Sequence, residues 1–244
     1  MERQVKIKIP RANKFVYGKL RGSLKKPLII FVPGLFCSIN EHYFFNGAKY
    51  FAKHGYSVFR MNLYDHHKDA RKAAACTLTT HAGDLDVVVD YFREKKVRQI
   101  FVVGHSNGGA VVLLSKNKNF DGVVLWDPAH EKRSGYKKYS YVTRLPGSKH
   151  YRMRWAIDYI LPKNLVEEAE TISYENLIKD IHAPIKIIVA EKGVLVPYGK
   201  RYFKKANDPK DFHVLKNSGH TFDEDGAEDR LFKETRKWFD RFSK

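Results

Sequence analysis

The sequence predicts an α/β fold on a mostly parallel sheet. Short apolar runs recur at 28–32, 98–103, 122–126 and 185–190, the pattern of strands buried on both faces. Segments with helical apolar spacing lie among them, at 41–54 and 79–95. This alternation is the signature of βαβ units, and 244 residues suffice for one large core.

Each element has its own justification. Residues 5–9 alternate apolar and basic side chains, as a half-exposed strand does, and 15–20 supplies a partner across a turn at 10–13. The run at 28–32 ends in Pro33-Gly34, which sets a strand before a sharp loop. A helix over 41–54 stops at Gly55, and a strand follows at 57–63. The helix over 79–95 aligns Leu85, Val88, Val89 and Phe92, with Thr79 or Thr80 as its cap and Asp84 in its first turn. The strand at 98–103 runs into a glycine-rich turn and then a helix over 110–115. Strands at 122–126, 185–190 and 211–215 follow. A closing helix over 227–242 carries Leu231, Phe232, Thr235, Trp238, Phe239 and Phe242 near one face. Residues 128–181 interrupt the alternation and are basic and rich in tyrosine, so they read as a lid inserted over a core of 1–127 and 182–244.

The formal net charge is +18 and the pI near 9.7. It is local: residues 1–26 carry +8 and 128–163 carry +7, leaving the remaining 182 nearly balanced. A chain-wide nucleic-acid surface is therefore not expected. The two basic stretches could face a polyanion, an anionic membrane or an anionic substrate, or simply keep the protein soluble. No apolar run approaches the roughly 18 residues of a membrane span, and MERQVKIKIP lacks the apolar core of a signal peptide. Cys37 and Cys76 are too few for a disulfide framework. A soluble cytoplasmic protein is the expectation.

Chemistry enters at Gly104-His105-Ser106-Asn107-Gly108, a G-x-S-x-G match. The pattern arises by chance in about one chain in ten of this length. Its setting, directly after a strand and before a helix, is the sharper signal, because a strained turn there lifts the Ser106 hydroxyl above the sheet edge. A serine needs a base, and Ser218-Gly219-His220-Thr221 offers one between the last strand and the last helix. A tetrahedral oxyanion needs two N–H donors. Asn107, next to the nucleophile, is one; Leu35 in the Pro33-Gly34 loop is the other, with Phe36 as the alternative. Asp65-His66-His67-Asp69 matches no recognised ligand spacing, so no metal is expected.

From the Pro-Gly loop to the Gly-His loop, the chain resembles the α/β-hydrolase superfamily, in particular small lidded serine esterases and lipases of the monoglyceride-lipase or serine-aminopeptidase type. The resemblance implies an eight-stranded, mostly parallel sheet with helices on both faces and a lid after the sixth strand. It also implies a Ser…acid…His order and no cofactor. Pro33-Gly34 replaces the common His-Gly of the oxyanion loop, which spares the backbone donor. The family's usual acid, in a Gly-x-x-Asp before Val-Pro, is missing: Ala190-Glu191-Lys192-Gly193-Val194-Leu195-Val196-Pro197 holds Gly193 there. Asp127, directly after the strand at 122–126, is the preferred acid because some superfamily members relocate theirs to that strand end. Glu191 is the alternative, two residues from the usual place, and Asp223, Asp225 or no acid remain open.

The expected function is hydrolysis of a small-molecule carboxylic ester, anionic or membrane-associated, through an acyl-enzyme. Thioesterase or peptidase chemistry shares that machinery. A non-catalytic protein binding a ligand or polyanion on a hydrolase scaffold is the alternative from another class. Tyr139, Tyr151 and Trp155 of the lid are candidate substrate contacts, beside Tyr136 and Tyr141.

Overall fold

The computed structural model describes residues 1–10, 12–129, 142–154 and 158–244. Its large sheet has eight strands: β1 (Glu2–Lys8), β2 (Phe15–Arg21), β3 (Leu28–Val32), β4 (Ser57–Met61), β5 (Ile100–His105), β6 (Gly122–Trp126), β10 (Ile185–Ala190) and β11 (Lys210–Leu215). They lie in the order β1-β2-β4-β3-β5-β6-β10-β11. β1 and β2 pair antiparallel, as do β2 and β4. Every pairing from β4 to β11 is parallel. This is the α/β-hydrolase fold.

The central strands are apolar because both of their faces are covered. In β3, Ile29 and Phe31 join one core while Leu28, Ile30 and Val32 join the other. Helices α1 (His42–Lys53) and α7 (Ala227–Asp240) close the first face. Helices α2 (Leu78–Glu94) and α3 (Asn107–Leu114) close the second.

The expected elements recur with ends shifted by a few residues, and the differences have physical causes. Helix α2 starts one residue early and its cap lies two or three residues early, because Thr77 caps it: its side chain accepts the Thr80 N–H. Glu168 adds a second cap by accepting the Leu78 N–H at 2.6 Å. Asp84 lies nearly buried within α2 and takes a two-pronged ion pair from Arg71 at 2.5 and 2.8 Å.

Between β6 and β10 the described residues form a second, antiparallel sheet of β7 (Val142–Arg144), β8 (His150–Arg154) and β9 (Asp158–Pro162). Helix α4 (Lys163–Thr171) and the short α5 (Tyr174–Leu177) follow. Helix α6 (Val196–Lys205) lies between β10 and β11, with Pro197 in its first turn.

Candidate active site

Ser106 sits between β5 and α3 with φ 53° and ψ −122°, a left-handed conformation that costs a non-glycine residue of order 1–3 kcal/mol. The structure holds it there with three backbone bonds. Its N–H donates to the Trp126 carbonyl at 3.0 Å, and its carbonyl accepts the N–H groups of Gly109 and Ala129 at 3.0 and 2.9 Å. The turn is so tight that a Cβ on Gly108 would lie 2.2 Å from the Val32 carbonyl oxygen, so only glycine fits. A Cβ on Gly34 would lie 3.2 Å from the Ser106 Cβ, which shows how closely the 33–37 loop approaches the serine.

Asp127 directly follows β6, fully buried and with φ 41°. Its N–H donates to the Ile188 carbonyl at 2.7 Å. Oδ1 accepts the Ala190 N–H at 3.0 Å, and Oδ2 accepts from His220 Nδ1 at 2.5 Å. The adjacency of β6 and β10 creates this arrangement, and the bond spans 93 residues of sequence. With Nδ1 carrying its proton toward the carboxylate, Nε2 of His220 is left as the basic nitrogen. The His220 side chain is 39% exposed, so this base is open to a reactant while its carboxylate is not.

Glu191 is engaged elsewhere. It accepts from Lys216 Nζ at 2.6 Å and from the Asn217 N–H at 2.8 Å, and the Asn217 bond leads the lowering of its carboxyl below the ordinary range. Asp223 contacts His42 Nε2 at 2.6 Å. At the family's usual acid position, a Cβ on Gly193 would stand 3.7 Å from Asp127 Oδ2. The two places for an acid thus border the same point.

Leu35 and Phe36 lie in the turn after Gly34, and no backbone carbonyl among the described residues accepts either N–H. Asn107 opens α3, where the first N–H groups lack intrahelical partners and carry the positive end of the helix dipole. Asn107 directly follows Ser106, and Leu35 and Phe36 directly follow Gly34, whose Cβ position lies 3.2 Å from Ser106 Cβ.

Tyr151 is 7% exposed and packs into the main core, while Tyr139 and Trp155 lie outside the described residues, as do Tyr136 and Tyr141. Tyr159 of β9, which the sequence reading passes over, stacks on Phe36 at 4.4 Å with a 13° interplanar angle. His105 was legible only as the variable residue of G-x-S-x-G; it is 1% exposed and its Nε2 meets the His220 carbonyl at 3.0 Å. Burial, with the neighbouring His220 second, pushes its imidazole down to about 3.

The Asp65-His66-His67 loop folds on itself. Both histidine Nδ1 atoms meet Asp65 Oδ1, at 3.1 and 2.5 Å, and Lys72 Nζ donates to all three backbone carbonyls at 2.6–3.0 Å. A cavity of about 460 Å³ opens beside it, with Phe36, Cys37 and Tyr64 in its wall.

The family model described as serine aminopeptidase, S33, matches residues 25–184. Similar solved structures extend over the whole length. Est1E from Butyrivibrio proteoclasticus, with ferulic acid bound, has a TM-score of 0.83 at 18% identity, covering 98% of each chain. The α/β hydrolase GrgF from Penicillium sp. sh18 has 0.81 at 16%, covering 100% of this chain and 99% of its own. The esterase domain of a Rhodothermus marinus protein has 0.74 at 16%, covering 99% of each. Among curated proteins there is no match.

Proposed function

The chain belongs to the serine aminopeptidase, S33, family of α/β-hydrolases, and from that premise we propose that it cleaves carboxylic esters through a Ser106–His220–Asp127 triad. The observation that supports this most is the 2.5 Å bond from His220 Nδ1 to a fully buried Asp127, beside a serine held at φ 53°.

In this reading His220 Nε2 takes the Ser106 proton as Oγ bonds to the ester carbonyl carbon. The carbonyl oxygen becomes an oxyanion, held by the N–H groups of Leu35 and Asn107. Collapse expels the alcohol, which leaves with the proton from His220, and an acyl-serine remains. Water then repeats the sequence: His220 takes its proton, its oxygen bonds to the acyl carbon, and the acid departs as Ser106 recovers its proton. Asp127 stays ionised throughout and steadies the imidazolium.

Thioesters and amides could pass through the same steps, and the family's description names a peptidase. Parallel assay of matched ester, thioester and amide substrates on wild type and Ser106→Ala separates these. The proposal requires the ester to have the largest kcat/KM and Ser106→Ala to lose at least a thousandfold. Amide turnover exceeding ester turnover would move the protein to the peptidases. The stacked Tyr159–Phe36 pair offers an aromatic face beside the oxyanion loop for the substrate's apolar part. The basic stretch at 128–163 favours anionic esters, so salt should lower kcat/KM for these and spare a neutral analogue. Equal responses would reduce that charge to solubility.

A further inference from the structure

The residue before the nucleophile has no part in the scheme above, yet three parts of the site converge on it. His105 ends β5 and is 1% exposed. Its Nε2 lies 3.0 Å from the His220 carbonyl oxygen, and its Nδ1 lies 3.2 Å from the Tyr43 hydroxyl. A Cβ on Gly34 would stand 3.4 Å from that Nδ1, so the oxyanion loop passes over the same ring. The His105 and His220 rings are 4.8 Å apart between centroids, and Phe44 and Phe222 enclose the pair edge-on at 6.2 and 5.9 Å from His105.

This geometry dictates where the proton sits. A backbone carbonyl only accepts, so Nε2 must carry hydrogen to bond the His220 oxygen. The ring is neutral at ordinary pH, because burial strongly disfavours its cation. One proton on Nε2 therefore leaves a lone pair on Nδ1; the single Tyr43 hydroxyl hydrogen goes to that nitrogen at 3.2 Å rather than to Cys37 Sγ at 3.7 Å, and the thiol can donate back to the phenol oxygen. Tyr43 comes from α1 and is itself 1% exposed. Burial drives its phenol far above the ordinary range, so it stays a donor. In the opposite tautomer the lone pair on Nε2 would face the carbonyl lone pairs, and the contact would be repulsive.

We propose that His105 is a positioning residue for the His220 base, in a tautomer that the His220 carbonyl fixes and the Tyr43 hydroxyl supports by donating to Nδ1. The proposal rests on the reading of His220 as the base. The Asp127 bond orients the His220 ring by its side chain. The His105 bond orients the same residue by its backbone, from the residue next to the nucleophile. Nucleophile and base are thereby referenced to one rigid buried group. Displacement of about 1 Å between reacting groups costs on the order of a hundredfold in rate, so losing this reference affects turnover rather than binding.

Two measurements test this together. Long-range ¹⁵N–¹H correlation spectra of the histidine rings are recorded for wild type and Tyr43→Phe from pH 8 to 4. Steady-state kinetics with a simple ester are measured for His105→Phe and His105→Gln, with melting temperatures alongside. The expected spectrum shows His105 neutral and protonated on Nε2, with Tyr43→Phe keeping that tautomer and shifting the Nδ1 resonance as its donor is lost. His105→Phe should lower kcat about a hundredfold with KM within threefold. His105→Gln, whose amide nitrogen matches Nε2, should recover to within about tenfold of wild type. If the Phe variant fails to fold, the Gln variant and the spectra decide. A His105 proton on Nδ1, a cation at pH 6, or full activity in His105→Phe overturns the proposal. A wild type inactive on every ester would defeat the hydrolase reading, while the spectra still judge the His105 tautomer.

Discussion

Replacing Asp127 by Asn preserves shape and inverts one hydrogen-bonding role. The wild-type carboxylate accepts twice, from the Ala190 N–H at 3.0 Å and from His220 Nδ1 at 2.5 Å. The amide has one oxygen to give. If it serves Ala190, the NH₂ faces His220 and stabilises the tautomer protonated on Nε2, which cannot take the serine proton. If it serves His220, the NH₂ faces the buried Ala190 N–H and leaves a donor unsatisfied, at about 1–3 kcal/mol. Reaching the productive tautomer then costs that amount, and the imidazolium formed in the transition state loses a charge-assisted bond worth a further 2 kcal/mol or so. Together these make about 3–5 kcal/mol, or a fall in kcat of roughly 10²–10⁴ at 1.36 kcal/mol per decade. Initial-rate kinetics on a chromogenic ester, with the melting temperature as a folding check, reads this directly. A folded Asp127→Asn enzyme within tenfold of wild type would rule out Asp127 as the acid of the triad. Adding Gly193→Asp to this variant should restore part of kcat, since the Cβ of that side chain would stand 3.7 Å from the position of Asp127 Oδ2 and bring a second carboxylate toward His220.

Three further outcomes follow from the same structure. Glu191→Gln should leave kcat within threefold, because Glu191 serves Lys216 and Asn217, and a loss beyond thirtyfold would return it to candidacy as the acid. Glu2→Gln should destabilise by about 1–3 kcal/mol, read as a lowered urea midpoint at constant slope, because the Arg60 guanidinium is 1% exposed and its ionic partner at 2.8 Å is Glu2. His81 is buried, held down to about 3 by burial and then by Arg71, and both of its ring nitrogens lack a hydrogen-bond partner among the described residues. As pH falls from 6.5 toward 3 the unfolded chain takes up that proton and the folded chain does not. Wild type therefore loses up to about 1.4 kcal/mol per pH unit from this group. His81→Leu should remove that slope in urea titrations at pH 7, 5 and 4, and parallel pH profiles for the two proteins would contradict it.

How much of this was legible in the sequence depended on the range of the interactions involved. Strands β3, β6 and β10 could be read from composition, because a strand covered on both faces has no polar side to keep. The serine turn was legible because strand, glycines and helix are contiguous there. Helix α6 was not, since Gly199 and Tyr202 are its buried residues and its remaining faces are basic or half-exposed. Glycine is required at 199 because a Cβ would lie 2.5 Å from Val189 Cγ1, a contact between elements that no local pattern encodes. The cap of α2 was placed two or three residues late, because Thr77, Thr79 and Thr80 are alike in type and differ only in which one has extended backbone. Asp127 was preferred to Glu191 by resemblance alone, with Asp223, Asp225 or no acid still open, because which carboxylate faces His220 depends on β6 lying beside β10 and on side-chain direction at the strand end. The work of His105 and Tyr43 was invisible for the same reason: their partners are 115 and 62 residues away along the chain.

In the proposed mechanism Ser106 is an activated nucleophile. A fluorophosphonate probe, incubated with folded protein and located by peptide mass spectrometry, tests it most directly. One adduct per chain is expected, on Ser106, formed at least a hundredfold more slowly in Asp127→Asn and lost on heat denaturation. Folded wild-type protein left unlabelled at Ser106, or labelled equally well after denaturation, would contradict it.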